Sequence, residues 1–338
     1  MRIAIISPYS CGPMRGNITT VRRIALALEN AGVETAILPV DAMSVEEMDS
    51  GLHSFAPDVI HAFHAGYCGE PACFLAERLG IPCLITLTGS DINESKFREN
   101  AGTRHALAKA AAIVCFDEPA AAQASRFFPE IAGRVFTVPQ GVVALPVAGD
   151  ENNVISDDAF VLLLPAAIRP VKNIEFPLRA LSPLARENRQ LLFVIAGGVI
   201  DQGYADAVRE MLAETPFARW LGEVPYGKMG NLYARADVVL NCSHVEGMPN
   251  SLLEAMALAR PVLAANIPGN HSLVHDSETG WLYSDESDFR SRVRQLMGDA
   301  ALCAEVGMRA RDYVQSEFSP VIEAERYIKL YTMLRTKP

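Results

Sequence analysis

The chain has 338 residues, of which 50% are hydrophobic and 21% charged, and a formal net charge of −10. That length suits two α/β domains better than one. The acidic balance excludes a general nucleic-acid binder, which needs a basic face, and gives no indication of membrane association. A phosphorylated ligand must be met by a few local cations and backbone amides, because the overall field repels it.

The seven cysteines, Cys11, Cys68, Cys73, Cys83, Cys115, Cys242 and Cys303, show no C-x-x-C pair and no Cys/His cluster at zinc spacing. No metal site is expected from them, and a reducing cytoplasm is the expected compartment. The apolar run from Ile3 to Ile6 is too short for a signal-peptide core. No run approaches the length of a membrane span.

In chain order, Ile3–Ile6 reads as a buried strand, followed by a Gly- and Pro-containing loop from Ser7 to Asn17. Thr19 to Ala31 has helical spacing at Val21, Ile24, Ala25 and Leu28, and Gly32 closes it. Further strands are predicted over 33–39, 58–63, 82–87, 111–116 and 135–139. Strands at 160–165, 190–196, 218–221, 238–242, 261–264 and 280–283 form a second set. The last element is a helix from Pro320 to Arg335 with apolar positions at Ile322, Tyr327, Leu330, Tyr331 and Leu334. Strands alternating with helices imply parallel βαβ units in doubly wound sheets. The expected organisation is a domain over 1–145, a linker over 146–158, a second domain over 159–318 and a closing helix over 319–338. Two such domains would face one another across a cleft, with ligands beyond the carboxyl ends of the strands.

The segment His244-Val-Glu-Gly-Met-Pro-Asn-Ser-Leu-Leu-Glu254 joins an apolar strand to an Ala-rich helix. Gly247, Met248 and Pro249 keep the turn close to a ligand, and Asn250, Ser251 and Leu252 present N–H groups at a helix start. Glu246 and Glu254 suit a nucleotide sugar, whose hydroxyls need acceptors beside a pyrophosphate. Two plainer readings stand beside this one. Ser251-Leu-Leu-Glu254 fits a capping box with Ser251 as N-cap, and Glu246 fits a solvated loop carboxylate. Arg169 and Lys172 follow another strand end and suit a diphosphate, as a fork and a point charge; they also read as ordinary surface cations. Gly197-Gly198 permits either close approach of a ligand or a turn.

In the first half, Gly16-Asn17 opens the first helix without a G-x-G-x-x-G fingerprint, which counts against a nicotinamide dinucleotide site. Thr88-Gly89-Ser90-Asp91 follows the fourth strand. Gly89 permits close backbone approach there, and Ser90 and Asp91 suit a hydroxylated acceptor; Asp91 also suits a helix N-cap. His61 and His64 flank the third strand end, where packing is the alternative to chemistry.

Taken together, Arg169-Pro-Val-Lys172, Gly222, Leu232-Tyr-Ala-Arg-Ala-Asp237-Val and Glu246-Gly-Met-Pro-Asn-Ser-Leu-Leu-Glu254-Ala-Met-Ala resemble the retaining glycosyltransferases of family 4. Ala264-Ala-Asn-Ile-Pro-Gly-Asn270 and Thr279-Gly-Trp-Leu-Tyr283 are similar to the glycosyltransferase 1 domain-containing type within it. The resemblance implies a GT-B fold of two Rossmann-like domains, with the closing helix crossing back to the first. It implies a hexosyltransferase-type enzyme moving a sugar from a UDP- or GDP-linked donor, with retention and no metal, to a small-molecule or glycan acceptor. Arg169 and Lys172 would hold the diphosphate, Glu254 the ribose and Glu246 the sugar. Gly16, Asn17, Gly197 and the backbone from Gly247 to Leu252 would complete the donor site. Thr88, Gly89, Ser90, Asp91 and His64 would meet the acceptor. In this mechanism the donor phosphate itself helps to deprotonate the acceptor.

Three departures mark the chain. Thr88 stands where many relatives have His, Gly16-Asn17 where many have paired glycines, and Gln140-Gly141 where Asn-Gly is usual. Thr88 leaves room for a non-catalytic nucleotide-sugar binder. A nucleotide-sugar hydrolase or epimerase is the other alternative.

Overall fold

The computed structural model describes residues 1–10, 16–147, 155, 156 and 158–336. Most of the expected linker, 146–158, and Cys11 lie outside the described residues. The chain divides into one unit of Met1–Gly141 with Glu317–Pro338, and a second of Val142–Ser316.

The first unit runs β1 (Arg2–Ser7), α1 (Gly16–Asn30), β2 (Glu34–Pro39), α2 (Val45–Phe55), β3 (Val59–Phe63), α3 (Ala65–Leu79), β4 (Cys83–Thr86), α4 (Ser90–Asn93), α5 (Ser95–Arg98), α6 (Ala101–Lys109), β5 (Ala112–Cys115), α7 (Glu118–Phe127) and β6 (Val135–Thr137). The second runs β7 (Phe160–Pro165), α8 (Glu175–Glu187), β8 (Leu191–Ala196), α9 (Gln202–Ala213), β9 (Ala218–Trp220), α10 (Tyr226–Arg235), β10 (Val238–Asn241), α11 (Asn250–Ala257), β11 (Val262–Ala265), α12 (Pro268–His271), β12 (Trp281–Tyr283), α13 (Glu286–Gly298) and α14 (Ala300–Glu317). The closing helix, α15 (Pro320–Thr336), returns to the first unit.

Both sheets have six strands, with every pairing parallel. Their orders differ. The first sheet is β2-β1-β3-β4-β5-β6, which reverses direction between β1 and β3. The second is β12-β11-β10-β7-β8-β9, which reverses between β7 and β10. The second is the dinucleotide-binding order and the first the flavodoxin-like one, and in both the reversal is where ligands gather. Helices on both faces explain why β3, β4, β5 and β10 are buried along their whole length.

The closing helix docks through polar as well as apolar contacts. Tyr327, Leu330, Tyr331 and Leu334 join the cluster built on Ile3, Ile5, Ile24 and Leu28. His61, fully buried in β3, bonds Tyr331 Oη through Nδ1 at 2.7 Å and Thr86 Oγ1 through Nε2 at 2.7 Å. Arg23 pairs with Glu323 at 3.0 Å, and Glu323 is buried. Burial lowers the His61 pKa from its ordinary value to about 3, so the ring is a neutral strut. His61 is a packing residue in this fold.

Candidate functional site

The reversal in the second sheet sets β7 beside β10, with Val238 opposite Leu162 and Val239 opposite Leu163. The loops leaving these two strands are stitched together, since His244 N–H donates to the Val171 carbonyl at 2.9 Å. After β7 the chain reaches Arg169, in extended conformation, and then one 3-10 turn over Pro170–Lys172. Asn173 closes that turn with φ of 49°, a left-handed position that asparagine tolerates. Lys172 is thereby aimed at the loop after β10.

There its Nζ meets Glu246 Oε1 at 2.5 Å. Ser243 Oγ donates to the same oxygen at 2.6 Å and Asn241 Nδ2 at 3.2 Å. Burial pushes the Glu246 carboxyl up, but the Lys172 charge and the bonds from Lys172, Ser243 and Asn241 outweigh it and hold the group below its ordinary value. The plain reading of Glu246 as a solvated loop carboxylate therefore fails, since its side chain is only 12% exposed. All three donors converge on Oε1, and Oε2 has no partner among the described residues.

A second layer fixes this arrangement. Asn270, fully buried, donates through Nδ2 to the Ala265 carbonyl at 2.8 Å and to Asn241 Oδ1 at 3.3 Å. Asn241 Oδ1 also accepts from Ser243 N–H at 3.3 Å. A side chain at Gly269 would strike the Glu246 carbonyl, whose oxygen lies 2.3 Å from an ideal Cβ, so glycine lets α12 pack on the Glu246–Gly247 backbone. Asn241, Ser243 and Asn270 were not predicted from the sequence as site residues. The signal that would have found them is polar side chains at the ends of apolar strands.

Arg169 differs from Lys172. Its Nε is buried and has no hydrogen-bond partner. No carboxylate pairs with it among the described residues. A buried, unsatisfied guanidinium nitrogen is costly, and an anion at the strand end would remove that cost.

Glu254 sits within α11, buried, and accepts from Tyr233 Oη of α10 at 2.7 Å. Burial first, and then the Glu254 charge, push the Tyr233 pKa far up, so the phenol remains a donor. The capping-box reading is corrected here. Pro249 is the N-cap, no side chain caps the helix, and Ser251 is already inside it. Of the N–H groups expected to face a ligand, that of Leu252 is taken by the Pro249 carbonyl at 3.1 Å. Met248, Pro249 and Leu252 are buried, Gly247, Asn250 and Ser251 partly exposed. Gly197 is explained by packing. Its ideal Cβ would lie 2.0 Å from the Ala166 carbonyl oxygen, so the close approach it permits is to the chain after β7.

In the first unit, Gly16 is exposed and Asn17 partly exposed at the start of α1. Asp91 is buried and its carboxylate is occupied: it accepts from Thr88 N–H, Gly89 N–H at 2.9 Å and Ala65 N–H at 3.1 Å. It organises its own loop and caps the first turn of α3, while Gly89 itself precedes α4 with φ of 109°. Thr88 Oγ1 is buried with no partner.

His64 is buried, with φ of 71°. Such a backbone is strained by about 1–3 kcal/mol for a residue with a side chain. Its Nδ1 accepts Tyr67 N–H at 3.2 Å, so in the neutral ring the proton is on Nε2, which donates to Ser90 Oγ at 2.9 Å. Burial lowers the His64 pKa against the opposing charge of Asp91, favouring this neutral form. His64 is thus no base toward Ser90, and the Ser90 hydroxyl proton is left to donate elsewhere.

Comparisons with known proteins agree with this architecture. Residues 149–313 match the family described as Glycosyl transferases group 1. The chain is 27% identical over 335 residues to glycosyltransferase 1 domain-containing protein 1 of Xenopus tropicalis, covering 95% of each. Among solved structures, sucrose-phosphate synthase of Thermosynechococcus elongatus superposes with a TM-score of 0.84 at 18% identity, covering 98% of each chain. HepE of Anabaena, solved in complex with UDP-glucose, gives a TM-score of 0.77 at 15% identity, covering 99% of this chain and all of that one (100%). The fold is GT-B, and the protein is an enzyme, a glycosyltransferase, whose residues 149–313 match the group 1 model.

Proposed function

We propose that the chain transfers a sugar from a nucleotide-diphosphate sugar to a hydroxylated acceptor with retention at the anomeric carbon. The observation that carries this reading is the pair of states at one strand reversal: Glu246 locked through Oε1 with Oε2 open, beside Arg169 with a buried Nε and no partner. Arg169 would take the diphosphate. Lys172 has three N–H donors and would share them between Glu246 and a phosphate oxygen. Glu246 Oε2 would accept a hydroxyl of the donor sugar, and Glu254, held by Tyr233, a ribose hydroxyl. HepE, which shares the fold, was solved with UDP-glucose, and UDP- and GDP-linked sugars are the donors proposed.

In the reaction the bond from the anomeric carbon to the phosphate oxygen breaks as the acceptor oxygen bonds that carbon from the same face. The acceptor proton passes to the leaving phosphate oxygen. Arg169 and Lys172 stabilise the charge that develops there, which is where preorganised donors lower a barrier most. No metal is required in this scheme, so transfer persists in a chelator. The acceptor's hydroxyl would be met in the first unit, by the Ser90 hydroxyl that His64 holds. No helix among the described residues is long and apolar enough to cross a membrane, and the proposed compartment is the cytoplasm.

The test is a thermal-shift screen against UDP, GDP, ADP and their sugars, followed by NMR of the anomeric configuration of the product. A midpoint raised by one nucleotide series and a product of unchanged configuration support the reading. An inverted product would overturn retention, and release of free sugar alone would replace transfer by hydrolysis.

A further inference from the structure

Away from both strand reversals, Cys73 of α3 and Cys83 of β4 bring their sulfurs to 3.8 Å. We infer that Cys73 and Cys83 form an oxidisable dithiol site, whose co-substrate is a hydroperoxide and whose product is an internal disulfide. Both are free thiols in this structure. A disulfide bond needs the sulfurs at about 2.05 Å, so bond formation closes the gap by roughly 1.8 Å.

The two thiols differ in a way that sets the order of events. Cys73 is partly exposed and Cys83 buried. The Cys73 S–H donates toward the Cys83 sulfur at 3.8 Å and the Ala106 carbonyl at 3.4 Å, and once Cys73 is ionised the Cys83 S–H is placed to turn and donate to the thiolate. That hydrogen bond, with Lys109 nearby, holds the Cys73 pKa below the ordinary thiol value against burial and the Glu77 charge. Lys109 is itself paired with Glu77 at 3.3 Å. Cys83 is pushed up, by its bond to Cys73 and then by burial. Cys68, Cys115, Cys242 and Cys303 are all raised, with burial the largest cause. Among the described residues Cys73 is therefore the cysteine that attacks.

The Cys73 thiolate attacks the distal oxygen of the peroxide, the O–O bond breaks, and Cys73 becomes a sulfenic acid with release of water or alcohol. Cys83 sulfur then attacks the Cys73 sulfur and expels its oxygen as a second water. Two thiol protons and two electrons leave the protein, and one peroxide is reduced. The disulfide would tie α3 to β4, the elements whose other ends hold His64 and the Thr88–Asp91 loop. This inference stands independently of the proposed sugar chemistry.

The experiment treats the full chain with hydrogen peroxide and maps its peptides by mass spectrometry without reductant. The expected result is a Cys73–Cys83 crosslinked peptide, a loss of two hydrogens and a higher thermal midpoint, all reversed by dithiothreitol. In Cys83→Ser a sulfenic acid accumulates at Cys73 and is trapped by dimedone; in Cys73→Ser neither species forms. A wild-type chain whose Cys73 is unreactive, or proceeds to sulfinic acid without the crosslink, overturns the inference.

Discussion

The two units carry the same kind of sheet and use the titratable residues near their strand reversals in opposite ways. At the reversal of the first sheet, Asp91 is filled by backbone N–H groups, and His64 is fixed by Tyr67 and Ser90. His61 is fully engaged by the closing helix. At the reversal of the second sheet, Glu246 keeps an open oxygen and Arg169 an unsatisfied nitrogen. Saturated polar groups support a fold, whereas charged groups held at a strand reversal with open valences suit a ligand. This difference is what supports the proposal that the second unit holds the donor.

The comparison breaks most readily at the ion pair. Lys172→Ala and Glu246→Ala should each lower transfer at least about 100-fold, with circular dichroism showing a folded chain. Rates within a few-fold of wild type, measured with a confirmed donor and acceptor, would make the pair a structural one.

Acid sharpens the contrast. His61 stays neutral in the folded state down to about 3, while the unfolded chain takes up that proton below about pH 6.5. The unfolded state then binds more protons, so stability is complete above about 6.5 and falls as the pH drops toward 3, by on the order of 1 kcal/mol per pH unit. Glu246, held below the ordinary carboxyl value, keeps its charge through most of that window. Urea titrations across this range, with NMR of the His61 ring, check both halves. A ring that titrates near its ordinary value contradicts the neutral strut.

A smaller effect separates packing from binding at Gly197. Gly197→Ala should cost about 2–3 kcal/mol through overpacking against Ala166, with nucleotide affinity of the folded protein unchanged. Calorimetric titration beside thermal unfolding reads both; lost affinity at full stability would return Gly197 to the ligand site. The smallest change is Tyr233→Phe, which leaves Glu254 without its hydroxyl and should lower stability by about 1 kcal/mol in a denaturant titration. No change in midpoint would show that Glu254 does not depend on Tyr233.

Much of the framework was legible in the sequence. The strands of both sheets fall where short apolar runs stand between turn residues, and the closing helix shows its apolar face from Ile322 to Leu334. Arg169, Lys172 and Glu246 were legible because each follows a strand end. Their supports were not. Asn270 reaches Asn241 across 29 positions, and Lys172 reaches Glu246 across 74, and local pattern carries no record of such partners. The reversal points were hidden for the same reason, since strand order is a matter of long-range pairing. Ser251 misled because S-x-x-E is a local motif, while Pro249 had already set the helix start. Asp91 read equally as a ligand group or a cap, because one of the donors that fill it, Ala65 N–H, becomes a neighbour only when α3 and the 88–91 loop fold together.

The central claim, that a diphosphate satisfies Arg169, is tested most directly by calorimetry of Arg169→Met against the nucleoside diphosphate that binds the wild-type chain. Binding should weaken by roughly 10- to 100-fold, the worth of a charged hydrogen bond, with the unliganded thermal midpoint unchanged or raised. Equal affinity in the variant, or no binding of UDP, GDP or ADP by the wild-type chain, would contradict it.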